Sequence, residues 1–201
     1  MNNFNITHKV TEIENFFPTY VEKEITKIML SPNIKWTYLS KITSMDSETY
    51  KLWNYKGKIV DSDAFSFQLD SNDPHYQQIS EHIRIFINKH QNIKIEKILR
   101  ILFVILPPNP LYKEYCHFLP HVDLYQTQCK NFLWYQNDND APTLFFDQLY
   151  EENKPVDYTK QEVVHKVYPK KNKGVLWNGD WFHSASVSKK SPRITLIVLF
   201  I

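Results

Sequence analysis

His121, Val122 and Asp123 form the single His-x-Asp of the chain. On a β-strand, residues i and i+2 point the same way, so such a pair offers an imidazole nitrogen and a carboxylate oxygen to one point. His183, far downstream, can add a second imidazole. Two histidines and one carboxylate fill one triangular face of an octahedron. The opposite positions stay open, which suits Fe(II) that must take both an organic cosubstrate and O2. Arg193 follows ten residues later and opens the run Arg-Ile-Thr-Leu-Ile-Val-Leu-Phe-Ile. An arginine ahead of a continuous apolar run needs a buried partner. A carboxylate is the fitting one, because the guanidinium is always charged and forks onto both oxygens. Thr195 shares the face of Arg193 and can add a hydroxyl.

Each of these residues has an ordinary reading when taken singly: a strand-edge ion pair for Arg193, β-propensity for Thr195. Their combination carries the chemistry. His117 lies four residues before His121, but Pro120 argues against the helix that would make them a zinc pair. Trp177 and Trp181 are candidates for a substrate mouth, set against the usual reading of strand aromatics as core.

Two helices and a series of short strands must position these groups. Val21, Ile25, Ile28 and Met29 share one face of a helix over 20–30 that Pro32 ends. Asp73-Pro74 starts a second helix reaching about His90, with Ile79, Ile83, Phe86 and Ile87 as its apolar stripe. From Ile93 onward the apolar residues come in short runs. Strands are expected within 93–106 and over 121–124, 132–136, 143–146, 163–168, 175–177, 181–186 and 193–201. Asn178-Gly179 is a strong hairpin signal between two of them. The expected fold is mainly β with N-terminal helices (α+β): a double-stranded β-helix, or jelly roll, supported by helices. One domain over 1–201 is expected, with 1–92 as helical support and 93–201 as the jelly-roll core. Residues 50–68 and 150–162 have the least regular patterns and are expected to be substrate loops.

Composition narrows the classes. The chain has 201 residues, 42% hydrophobic and 23% charged, which is ordinary globular usage and excludes disorder. With only 3 glycines, Asn and Asp must supply the turns that need positive φ. A net charge of +2 lacks the concentrated basic footprint of a nucleic-acid binder. Cys116 and Cys129 cannot make a disulfide framework and read as free thiols of a reducing compartment. No signal peptide or membrane-length apolar run is visible, so a cytoplasmic protein without a membrane partner is expected.

The stretches Pro120-His-Val-Asp123, Phe132-Leu-Trp-Tyr-Gln-Asn137 with Thr143-Leu-Phe-Phe146, Pro169 to Gly179, His183 and Arg193-Ile-Thr195 resemble the Fe(II)- and 2-oxoglutarate-dependent dioxygenases. The resemblance covers about 93–201 and is nearest the prolyl-4-hydroxylase-like branch, with its short stand-alone viral and bacterial members. It implies iron held by His121, Asp123 and His183, and 2-oxoglutarate held by Arg193 with help from Thr195. Trp134, with Tyr135 beside it, stands where the family often places a tyrosine against the cosubstrate. The implied activity is hydroxylation of a C–H bond with O2, releasing succinate and CO2, with ascorbate as an optional reductant. Related halogenases lack the carboxylate that Asp123 supplies. Peptidyl proline or another protein residue is the first substrate implied, and a small molecule the next. Two other readings stay open: a non-catalytic jelly-roll binding module, and a zinc-dependent hydrolase using the same ligands.

Overall fold

A computed structural model describes residues 9–40, 59–60, 62–111, 116–124, 129–152 and 161–201. Of the two expected substrate loops, 50–58, 61 and 153–160 lie outside these residues. Helix α1 (Thr19–Met29) buries Val21, Ile25, Ile28 and Met29, the stripe expected from the sequence. Helix α2 (Pro74–Gln91) is capped by the Asp73 carboxylate, which accepts from the His75 N–H at 2.8 Å. It ends on Asn92 in the left-handed region, a common helix stop.

The strands are β1 (Thr11–Ile13), β2 (Thr37–Leu39), β3 (Ala64–Gln68), β4 (Ile98–Leu106), β5 (Lys130–Tyr135), β6 (Thr143–Leu149), β7 (Val163–Val167), β8 (Gly174–Asn178), β9 (Trp181–Ala185) and β10 (Arg193–Phe200). They form a seven-stranded sheet, β1-β8-β5-β10-β4-β3-β2, and a three-stranded sheet, β7-β6-β9. All pairings are antiparallel. The two sheets are those of a jelly roll.

The large sheet has two apolar faces. Strand alternation sends Phe132, Trp134, Leu196, Val198 and Phe200 to the outer face, where they pack with the helix stripes and with Phe16 and Phe17. Leu133, Tyr135, Val175, Trp177 and Ile197 turn inward against Phe145 and Trp181 of the small sheet. Helices therefore shield one face and leave the other free to build an interior.

Three local findings differ from the sequence reading. First, the N-terminal third contributes strands as well as helices. β1 to β3 join the large sheet, and β3 occupies the end of the expected 50–68 loop. Second, Asn178-Gly179 does not close a hairpin, because β8 and β9 belong to different sheets. The Gly179 N–H donates to the Cys129 carbonyl at 2.8 Å, and a Cβ there would lie 2.1 Å from Cys129 Sγ. Close approach, not backbone dihedral, requires this glycine. Third, the expected strand over 121–124 is displaced. The extended segment runs from His117 to His121, and only His121 pairs with His183.

The three positive-φ residues other than glycine are all asparagines among the described residues: Asn15, Asn92 and Asn172. Cys116 and Cys129 are buried free thiols. No helix among the described residues is long and apolar enough to cross a membrane.

Candidate metal and cosubstrate site

His121 and His183 face each other across a hydrogen-bonded pair. The His121 N–H donates to the His183 carbonyl at 2.9 Å, and the His183 N–H donates back at 3.0 Å. Each imidazole is oriented by its own chain two residues upstream. His121 Nδ1–H donates to the Leu119 carbonyl at 2.9 Å, and His183 Nδ1–H to the Trp181 carbonyl at 3.1 Å. A carbonyl can only accept, so Nδ1 carries a proton, and Nε2 is the nitrogen that ligates once it has given up any proton of its own. The His183 ring packs 4.9 Å from the Trp177 ring, centroid to centroid.

Asp123 completes the cluster from a bend beyond the paired residues. One ligand atom from each of His121, Asp123 and His183 lies within 4.8 Å of the others. Asp123 Oδ2 is 3.3 Å from His183 Nε2, and Oδ1 is 4.0 Å from His121 Nε2. Burial alone would raise the Asp123 pKa. The hydrogen bond from His183 and the charges of His183, His121 and Arg100 outweigh it and hold the carboxyl well below the usual range. Burial, and after it the neighbouring His183, lowers the pKa of His121. An anionic carboxylate and a neutral imidazole are the forms a metal needs. The donor set therefore fits a divalent metal with open positions.

The other end of the inward face holds Arg193, Thr195, Tyr135 and Thr143. Arg193 is 3% exposed. Its Nη2 donates to Thr143 Oγ1 at 2.6 Å, and Tyr135 Oη lies 2.6 Å from the same oxygen. The guanidinium carbon lies 5.4 Å from the Tyr135 ring centroid. Arg193 Nε and Nη1 are buried with no partner. Burial lowers the Arg193 pKa, the adjacent Tyr135 opposing it, and burial raises that of Tyr135. A guanidinium buried without a carboxylate among the described residues is costly. An anion that accepts from these unpaired N–H groups lowers that cost, so the residues fit the far carboxylate of a dicarboxylate.

Rows of the large sheet connect the two ends. Ile197, opposite Leu133 and Leu102, separates Arg193 and Thr195 from Leu199, whose partners are Asn131 and Arg100. Thr195 is paired with Tyr135 and buried beside Arg193.

Trp134 is not part of this interior. It faces the helices, and its Nε1–H donates to Asn172 Oδ1 at 3.0 Å. Tyr135 is the inward residue, because alternation puts neighbours on opposite faces. Trp177 and Trp181 are buried between the sheets rather than set at an open mouth, and Trp181 Nε1–H donates to the Phe146 carbonyl at 2.5 Å. Arg100 and Asn131 at the site are not singled out by the sequence, and Thr143, though part of a matching stretch, is given no role by it. Arg100 Nη2 donates to Asp123 Oδ1 at 3.1 Å, and Asn131 Nδ2 donates to Oδ2 at 2.7 Å.

The sequence matches no protein-family model, and no curated protein matches it. Solved structures do match. A prolyl hydroxylase from Trichoplax adhaerens, in complex with a hypoxia-inducible-factor oxygen-degradation-domain peptide, is 15% identical, with a TM-score of 0.60 over 97% of this chain and 84% of that one. A 2OG-Fe(II) oxygenase-family oxidoreductase from Burkholderia pseudomallei is 11% identical, with a TM-score of 0.62 over 98% and 85%. The α-ketoglutarate-dependent epimerase SnoN of nogalamycin biosynthesis is 10% identical, with a TM-score of 0.62 over 96% and 78%. The chain has the fold of the 2-oxoglutarate–Fe(II) oxygenases.

Proposed function

We propose that this protein is an Fe(II)- and 2-oxoglutarate-dependent oxygenase that hydroxylates a C–H bond of a protein or peptide residue, prolyl first. One observation carries the reading: a two-histidine, one-carboxylate cluster and an arginine with two buried, unpaired donors share a single interior face. His121, Asp123 and His183 are the residues that would hold iron. Arg193, with Tyr135 and Thr143 around it and Thr195 on its face, would bind the far carboxylate of 2-oxoglutarate and fix its other end toward the metal. When bound, iron and 2-oxoglutarate supply O2 activation coupled to decarboxylation, with one oxygen atom going to succinate and one to the substrate. The apolar row of Leu133, Val175 and Ile197 lies between the two ends.

A peptide substrate is favoured by the neighbouring prolyl hydroxylase described with a peptide. The epimerase neighbour is the reason to assay 2-oxoglutarate rather than hydroxyproline first. A zinc hydrolase gives no use for the unpaired nitrogens of Arg193, and a binding module gives none for the metal cluster. Localisation in the cytoplasm fits the two reduced, buried thiols.

The test is succinate formation from 2-oxoglutarate with Fe(II), in air and under argon. Turnover that needs O2 and is lost in Asp123→Ala supports the proposal. Equal turnover in folded Asp123→Ala, or none in the iron-loaded wild type with peptide libraries present, refutes it.

A further inference from the structure

Among the described residues 116–124, Asp123 stands past the last paired one, His121, and lies in a bend rather than a strand. Two neighbours on the large sheet hold its side chain. Leu199 of β10 is paired with Arg100 on one side and Asn131 on the other. Arg100, Leu199 and Asn131 thus form one row across three strands. The side chains that flank Leu199 converge on the same carboxylate: Arg100 Nη2 on Oδ1 at 3.1 Å, Asn131 Nδ2 on Oδ2 at 2.7 Å. The amide orientation follows from chemistry, since the opposite one would set an oxygen against a carboxylate.

Both neighbours leave other polar atoms unsatisfied. Arg100 Nε and Asn131 Oδ1 are buried without partners. Such groups cost stability; an apolar row would avoid the cost. Each donor occupies one lone-pair direction of its oxygen, which leaves one on each for a metal.

We propose that Arg100 and Asn131 are positioning residues: they clamp Asp123 by opposite oxygens and set it to ligate the metal through one of them. This rests on the oxygenase reading above, and it assigns a role to two residues that the metal cluster itself does not include. The clamp acts only through Asp123. Its loss must therefore weaken metal binding when Asp123 is present and leave it unchanged when Asp123 is absent, whereas a merely structural role would weaken it in both cases.

Apo-protein is titrated with Co(II) by calorimetry, with near-UV circular dichroism confirming the fold of each variant. Asn131→Ala and Arg100→Met should each raise the dissociation constant about 10- to 100-fold, the usual effect of removing a partner behind a ligand. Arg100→Lys, which keeps the charge and a donor, should recover most of the loss. In Asp123→Ala, adding either change should shift the residual two-histidine affinity less than about twofold. Should Asn131→Ala fail to fold, the partly exposed Arg100 decides the matter alone. Wild-type affinity in the folded single variants overturns the clamp. So does an equal loss with Asp123 absent, or no recovery by lysine. A wild-type protein that binds no Co(II) instead contradicts the oxygenase reading itself.

Discussion

Arg193 donates through Nη2 to Thr143 and keeps Nε and Nη1 buried and unpaired. A charge held this way binds an incoming carboxylate without first breaking an internal salt bridge, so little of the attraction is lost to rearrangement. Replacing it by methionine removes the charge and keeps the volume. Arg193→Met should raise the dissociation constant of 2-oxoglutarate on the order of a hundredfold, as loss of one partner of a buried charge pair does. Co(II) affinity should stay within about threefold of wild type. Calorimetric titration of both ligands checks this, and unchanged 2-oxoglutarate affinity would remove Arg193 from the site. Arg193 is legible in the sequence because a charge opening an apolar run asks for a partner. Arg100 sits inside the apolar run of β4 and carries the same signal. Only knowledge that β4 and β5 flank β10 shows that Arg100 and Asn131 meet at Asp123. The inward set of Tyr135 over Trp134 depends on strand register, which a single strand's composition does not reveal.

Elements are held to the site by a few tertiary ties, of which Asn172 is the clearest. It sits at φ 61° in the turn before β8. Its Oδ1 accepts from the Phe17 N–H and from Trp134 Nε1–H, and its Nδ2 donates to the Phe17 carbonyl. One side chain thus joins the segment before α1 to β5. Asn172→Ala strands these buried groups and leaves a β-carbon in the left-handed region. The expected cost is about 3 kcal/mol, a fall in Tm of about 10 °C for a chain of this size. Asn172→Asp keeps the acceptor and should lose less. Equal melting of Asn172→Ala and wild type would show that the tie is not structural. Both helices were legible, since a 3.6-residue stripe and the Asp73-Pro74 start are local signals. Strand partners were not. Asn178-Gly179 reads locally as a hairpin, yet the chain there crosses between sheets, and the Gly179 N–H pairs with the Cys129 carbonyl.

At the scale of the whole molecule, the large sheet separates two tasks. Its outer face packs on α1 and α2 and provides the main core. Its inner face holds polar groups at each end of an apolar middle, closed by the small sheet. Jelly-roll architecture follows from many short strands and a helix-rich start. The extra strands β1, β2 and β3 add to the sheet edges by pairings distant in sequence, and no periodicity signals those. The proposed function requires this interior to bind a metal at one end and, through it, to chelate 2-oxoglutarate anchored at the other. The most direct measurement is the visible spectrum of oxygen-free protein to which Fe(II) and then 2-oxoglutarate are added. A metal-to-ligand charge-transfer band is expected in the wild type, absent in Asp123→Ala and weakened in Arg193→Met. Folded, iron-loaded wild-type protein that shows no band with saturating 2-oxoglutarate would rule out the oxygenase assignment.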